Sequence, residues 1–122
     1  MAKPNLIVLY VANPLASVDF YSKLLGREPT VAFPTFSAFE LPGGFTLGLW
    51  AQESVAPEPS VAGGRSELAF MMEGEQAVRV HYEEWRAMGL PIAQELTKMD
   101  FGPTFVALDP DGHRLRVCLY DD

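Results

Sequence analysis

Two histidines and one cysteine are the side chains that most readily do chemistry in this 122-residue chain. His81 falls beside the apolar stripe of a helical segment, and His113 follows an Asp-Pro-Asp-Gly turn. Neither has a second His or Cys at ligand spacing, so both read as partly exposed polar residues rather than metal ligands. Cys118 lies in a terminal strand between Val117 and Leu119 and reads as a buried, inert thiol, since no His or Asn constellation is readable near it. One cysteine can neither close an internal disulfide nor anchor zinc alone. Gly43-Gly44 and Gly63-Gly64 precede no helix, so neither pair is a phosphate-binding loop.

Charge and aromaticity carry more. Strand alternation puts Arg114 and Arg116 on one face, with Leu115, Val117 and Leu119 on the other. Glu67 alternates in the same manner and faces away from the helix layer with Ala69 and Met71. These three charges form either a solvated rim or a pair inside a cup, where a guanidinium keeps a carboxylate ionised. Phe33, Phe36, Phe39, Phe45 and Trp50 cluster in the first half, and Phe101 and Phe105 in the second. Most read as core. Trp50, read at the frayed end of its strand, stays open between core and a ligand wall, because indoles suit sites that are part apolar and part wet.

The elements that must position these residues repeat. Leu6–Val11 reads as a strand buried on both faces; Asn13-Pro14 then opens a helix with Leu15, Val18, Tyr21 and Leu25 on its apolar face, and Gly26 stops it. Strands follow near Thr30–Phe33, Ser37–Leu41 and Phe45–Trp50, with a turn at Pro42-Gly43-Gly44. Residues 51–65, with two prolines and a Gly pair, read as a connector. The second half begins with a buried strand, Glu67–Met72, and a helix from Glu75 to Met88 with Ala77, Val78, Tyr82, Trp85 and Met88 on its apolar face. Gly89 ends that helix, and strands near Ile92–Leu96, Thr104–Leu108 and Arg114–Tyr120 follow, the last two joined by Asp109-Pro110-Asp111-Gly112. The boundaries expected are residues 4–52 for the first module, 53–65 for a linker and 66–122 for the second, within one domain of 122 residues.

Composition narrows the function classes. A net charge of −7 argues against a nucleic-acid partner. Every apolar run is broken well short of the ~20 residues a bilayer span needs, so no membrane role is expected. The start, Met1-Ala2-Lys3-Pro4, runs into a strand without a cleavable signal pattern, and a cytoplasmic location is the expectation.

Leu9-Tyr10-Val11-Ala12-Asn13-Pro14, the following Ser17-Val18-Asp19-Phe20-Tyr21 with Leu25-Gly26, and the late stretch from Phe105 through Asp109-Pro110-Asp111-Gly112-His113 to Val117 together resemble the vicinal oxygen chelate superfamily of glyoxalases, extradiol dioxygenases and bleomycin-resistance proteins. The resemblance implies an α+β fold in which two βαβββ modules form an incompletely closed eight-stranded barrel around a cup, and it implies a homodimer. Metal-dependent members of that superfamily place ligands at positions that fall here on Leu6, Glu67 and Arg116. An alkyl side chain and a fixed cation cannot bind a divalent ion, so no metal and no other cofactor is expected. Pro4-Asn5-Leu6, Leu49-Trp50, Ser66–Met72 and Arg116-Val117-Cys118 are similar to phenazine antibiotic resistance proteins, which implies sequestration of a planar drug without catalysis.

On that basis the expected ligand is a planar aromatic small molecule. Trp50, Phe36 and Phe101 would be its stacking or wall residues, Tyr10 a hydrogen-bonding group, and Glu67 with Arg114 or Arg116 its polar contacts; no residue is catalytic. A rival reading, a metal-dependent glyoxalase-like lyase or dioxygenase, needs Asp100, Glu40 or His113 to converge as ligands. A third makes Glu67 the general base of a metal-free enzyme, which a neighbouring Arg116 disfavours.

Overall fold

The computed structural model describes residues 2–60 and 65–120. The readings of Gly63-Gly64 and of Met1 lie outside the described residues. The chain divides into two compact units, Met1–Val61 and Ala62–Asp122, each built as strand, helix and three strands. The architecture is α+β, two βαβββ modules with one four-stranded sheet apiece.

In the first unit β1 (Leu6–Val11) leads to α1 (Pro14–Leu25), then β2 (Val31–Ala32), β3 (Phe36–Leu41) and β4 (Phe45–Ala51). The sheet order is β1-β4-β3-β2, with β1 parallel to β4 and the remaining pairs antiparallel. The Asn13 side chain accepts from the N–H groups of Leu15 and Ala16, Pro14 takes the first helical position, and Gly26 leaves the helix at φ 65°, where a side chain would be strained. The buried face of α1 is Pro14, Ser17, Val18 and Tyr21, spaced i, i+3, i+4, i+7. Leu15 was expected there, but it is 42% exposed, and the small Ser17 takes the buried place, 1% exposed. Val11, Tyr21, Phe39, Leu47 and Leu49 complete this core.

The second unit runs β5 (Glu67–Met72), α2 (Glu75–Ala87), β6 (Ile92–Met99), β7 (Gly102–Leu108) and β8 (Arg114–Leu119), in the sheet order β5-β8-β7-β6. Val78, Tyr82 and Trp85 form the buried face of α2, whereas Met88, placed on that face from the sequence, is exposed beyond the helix end. Trp85 meets Phe70 and Phe105 edge-on, with centroids 5.4 Å apart in both pairs, and Tyr82 meets Phe105 at 5.1 Å. Edge-to-face packing of this kind adds about 0.5–1.5 kcal/mol per pair beyond burial.

The opening strands differ from expectation. Neither β1 nor β5 is buried on both faces: each is the edge strand of its sheet, and each sheet's helix packs on one side only. In β5 exposure alternates, Glu67, Ala69 and Met71 open and Leu68, Phe70 and Met72 half-covered; in β1 Leu6 and Tyr10 are exposed. β4 continues through Ala51, and Gln52–Ser54 form a short 3-10 turn.

His113, read from sequence as a partly exposed polar residue, is held by a buried carboxylate. The Asp109 side chain, buried at the foot of the β7–β8 turn, accepts the N–H groups of Asp111 at 2.9 Å and His113 at 2.8 Å through Oδ1. Its Oδ2 lies 2.8 Å from His113 Nδ1. That hydrogen bond raises the imidazole pKa above its ordinary value; the charges of Asp109 and Asp111 add to it, and burial opposes it. A raised folded-state pKa stabilises the fold fully below the unfolded value of about 6.5 and loses that contribution as pH climbs through the folded value. The stability difference between wild type and His113→Gln should therefore be largest near pH 6 and shrink by about pH 9, which denaturant unfolding at the two pH values measures; a difference that grows with pH would refute the assignment.

Candidate functional site

In the first unit the face of the sheet turned away from α1 carries a row of rings. The register sets Tyr10 of β1 opposite Trp50 of β4, and Trp50 opposite Phe36 of β3. Side chains at register partners project to one face, so three expected site residues stand side by side across three strands. Tyr10 and Trp50 meet edge-on, centroids 6.3 Å apart with planes at 81°. Tyr10 is exposed while Trp50 and Phe36 are half-buried. Trp50 is not at a frayed end: β4 is an inner strand, and Trp50 is paired on both sides. The next row on this face is thin, with Val8 opposite Gly48 and Gly48 opposite Ala38. The Phe36 ring fills the space above Gly48, and its Cζ lies 3.0 Å from where a Cβ would stand.

In the second unit the corresponding face carries a polar cluster organised by Arg116 on β8. Its Nε donates to Glu67 Oε1 on β5 at 2.7 Å. Its Nη1 donates to Gln94 Oε1 on β6 and to Thr104 Oγ1 on β7, each at 3.1 Å. Thr104, fully buried, in turn donates to the backbone carbonyl of Val117 at 2.7 Å. One guanidinium thus ties all four strands of the sheet. An arginine has five N–H donors in a planar fork. Three are engaged here, and among the described residues Nη2 makes no hydrogen bond, so its two N–H groups can serve an external acceptor. Arg114 faces Glu67 in the register but is exposed; Glu67 pairs with Arg116 instead.

Other expected residues stand apart from these faces. Phe101, expected as a wall residue, is 47% exposed in the turn between β6 and β7. Phe33 is exposed too, and Phe39 and Phe105 are fully buried against their helices. Cys118, expected to be buried, is half-covered, because it projects to the helix-free face on the side of Arg116. His81 bonds its Nδ1 to the carbonyl oxygen of Ala77 one turn back, 2.8 Å away.

Gln94, Thr104 and Gly48 were not singled out from sequence. Alternation from Arg116 could have found Thr104 through the β7–β8 turn. Gln94 was hidden: the β6–β7 register shifts between Ile92 and Gln94, and that bulge turns Gln94 to the face opposite Ile92.

The positions that the resemblance assigns to a divalent ion do not fit one. Leu6 offers no donor, Glu67 has its Oε1 engaged by a guanidinium, and Arg116 is itself a fixed cation that repels another. Among the described residues no three His, Cys, Asp or Glu side chains converge as a metal site. Of the rival ligands, His113 is held by Asp109 and Asp100 lies in the β6–β7 turn. Glu40 is exposed on β3.

The phenazine antibiotic resistance protein EhpR of Enterobacter agglomerans is 33% identical over 123 residues, covering 97% of this chain and 92% of that protein. A solution NMR structure of a protein from Agrobacterium tumefaciens shares 47% identity over the whole of both chains, with a TM-score of 0.89. A glyoxalase-related enzyme from Fulvimarina pelagi, at 23% identity, shares the fold with a TM-score of 0.82 over 98% of this chain and 89% of that one. No helix among the described residues is long and apolar enough to cross a membrane. The family model covers residues 3–117, and the chain belongs to the Glyoxalase/Bleomycin resistance protein/Dioxygenase superfamily.

Proposed function

We propose that this protein binds and holds a planar aromatic small molecule of the antibiotic type and releases it unaltered. The observation that carries the reading is the row Tyr10–Trp50–Phe36 on the helix-free face of the first sheet. Rings grouped in a core are buried by their helix, as Phe39 and Phe105 are. These three have no helix over them and keep surface open to water, which suits a ligand whose flat faces are apolar and whose rim is wet. The identity with a phenazine antibiotic resistance protein supports the ligand class. The donor set at Leu6, Glu67 and Arg116 supports binding over chelate chemistry, because the charge that a metal would bring is already present as a guanidinium.

Phenazine titrated into the protein should quench emission from Trp50 and leave the ligand chemically unchanged on recovery. Trp50→Ala, followed by calorimetry because the reporter is gone, should weaken binding about tenfold or more while the urea midpoint stays close to that of wild type. Unchanged affinity in that variant would take Trp50 out of the site, and conversion of the ligand would replace binding by catalysis. Dialysis against EDTA should leave the phenazine Kd within about twofold of its starting value; binding that disappears with the chelator and returns with added Zn2+ or Mn2+ would favour the metal-using reading.

A further inference from the structure

Glycine in the middle of a strand is unfavourable without a reason, since it loses more backbone freedom than other residues and packs nothing. Gly48 lies in β4, an inner strand of the first sheet, and is not in the left-handed region, so its backbone does not require a glycine. The reason is steric. A Cβ at this position would stand 3.0 Å from Phe36 Cζ, 3.1 Å from Phe36 Cε1 and 3.5 Å from Leu6 Cδ1. Phe36 is diagonal to Gly48 across the β3–β4 pair, a placement from which a ring can reach over the neighbouring strand. The outer end of the ring has folded down onto the backbone that a side chain would have covered.

We infer that Gly48 is a specificity-determining residue of the aromatic face: by letting the Phe36 ring lie low beside Trp50, it selects ligands that are flat throughout. This rests on the binding reading above and narrows its ligand class to fully aromatic fused rings. The physical ground is the range of dispersion. A ligand lifted by 0.5–1 Å forfeits about a quarter to a half of each contact's well depth. A ring kept low over Gly48 therefore rewards a ligand that stays flat where it passes Phe36 and penalises a puckered ring, which rides on its out-of-plane hydrogens. With a side chain at position 48 the Phe36 ring has to rise, the surface becomes uneven, and the difference between flat and puckered ligands fades.

The test compares phenazine with tetrahydrophenazine, the same skeleton with one terminal ring saturated, by calorimetry. Wild type should prefer phenazine by about fivefold to tenfold. Gly48→Val should weaken phenazine about tenfold and bring the two ligands within about twofold of each other. Gly48→Ala should move both quantities in the same direction by less, and it serves if the valine variant folds poorly. A ligand-free arm checks the packing: Gly48→Val should lower Tm, and adding Phe36→Ala should recover part of the loss. Alanine and valine variants that keep the wild-type preference overturn the inference, as does a Tm loss that Phe36→Ala leaves untouched. Wild type that binds neither compound overturns the binding reading itself, and the Tm arm distinguishes that failure from a fault in the Gly48–Phe36 packing.

Discussion

Successive side chains on a strand point to opposite sides, and in each unit one helix lies against one side of a four-stranded sheet. Every strand must therefore spend alternate residues on the core and leave the others to a surface that no helix covers. On the helix side the result is ordinary: Val11, Phe39, Leu47 and Leu49 under α1, and Phe105, Leu115 and Val117 under α2. On the other side the two units diverge. The first presents rings, the second a guanidinium with a carboxylate, an amide and a hydroxyl. The same constraint yields both faces, and the difference lies in the residues at matching parity.

What could be read from the chain follows the strength of local signals. Asn13-Pro14 with Gly26 brackets α1 because capping chemistry acts within a few residues, and each cap appears where those residue types place it. Arg114 and Arg116 share a face with Glu67 because parallel β5–β8 pairing preserves alternation. Tyr10, Trp50 and Phe36 were each singled out, but their alignment in one row depends on the β1–β4 and β3–β4 registers, which pairing distant in sequence decides. The misplacements share a cause as well. Leu15 lies one residue, about 100° of rotation, off the buried stripe of Pro14, Ser17, Val18 and Tyr21, and Met88 lies past the end of α2, so hydrophobic type alone could not say which residue is covered. β1 and β5 looked buried because apolar runs do not report how many neighbours a strand has.

The Arg116 cluster also illustrates how a polar face is made tolerable. Glu67 and Arg116 are each partly covered, with side-chain exposures of 34% and 18%, and charge in such a place requires partners. Here the guanidinium receives a carboxylate, an amide oxygen and a hydroxyl oxygen in fixed directions, and no buried side-chain nitrogen or oxygen is left unbonded among the described residues. A planar fork suits this geometry where an ammonium would not.

Thr104 gives that cluster a second consequence. Its hydroxyl donates to the main chain of Val117 and accepts from the side chain of the residue before it, Arg116. Both bonds require β8 to meet β7 at one alignment only. Were β8 to slip by a single position, Arg116 would swing beneath α2 among Trp85 and Phe105, a charge pressed into oil, while Val117 would be stranded outside. The guanidinium thus helps to specify the alignment of β8, since the slipped sheet would hold an unpaired cation in its core.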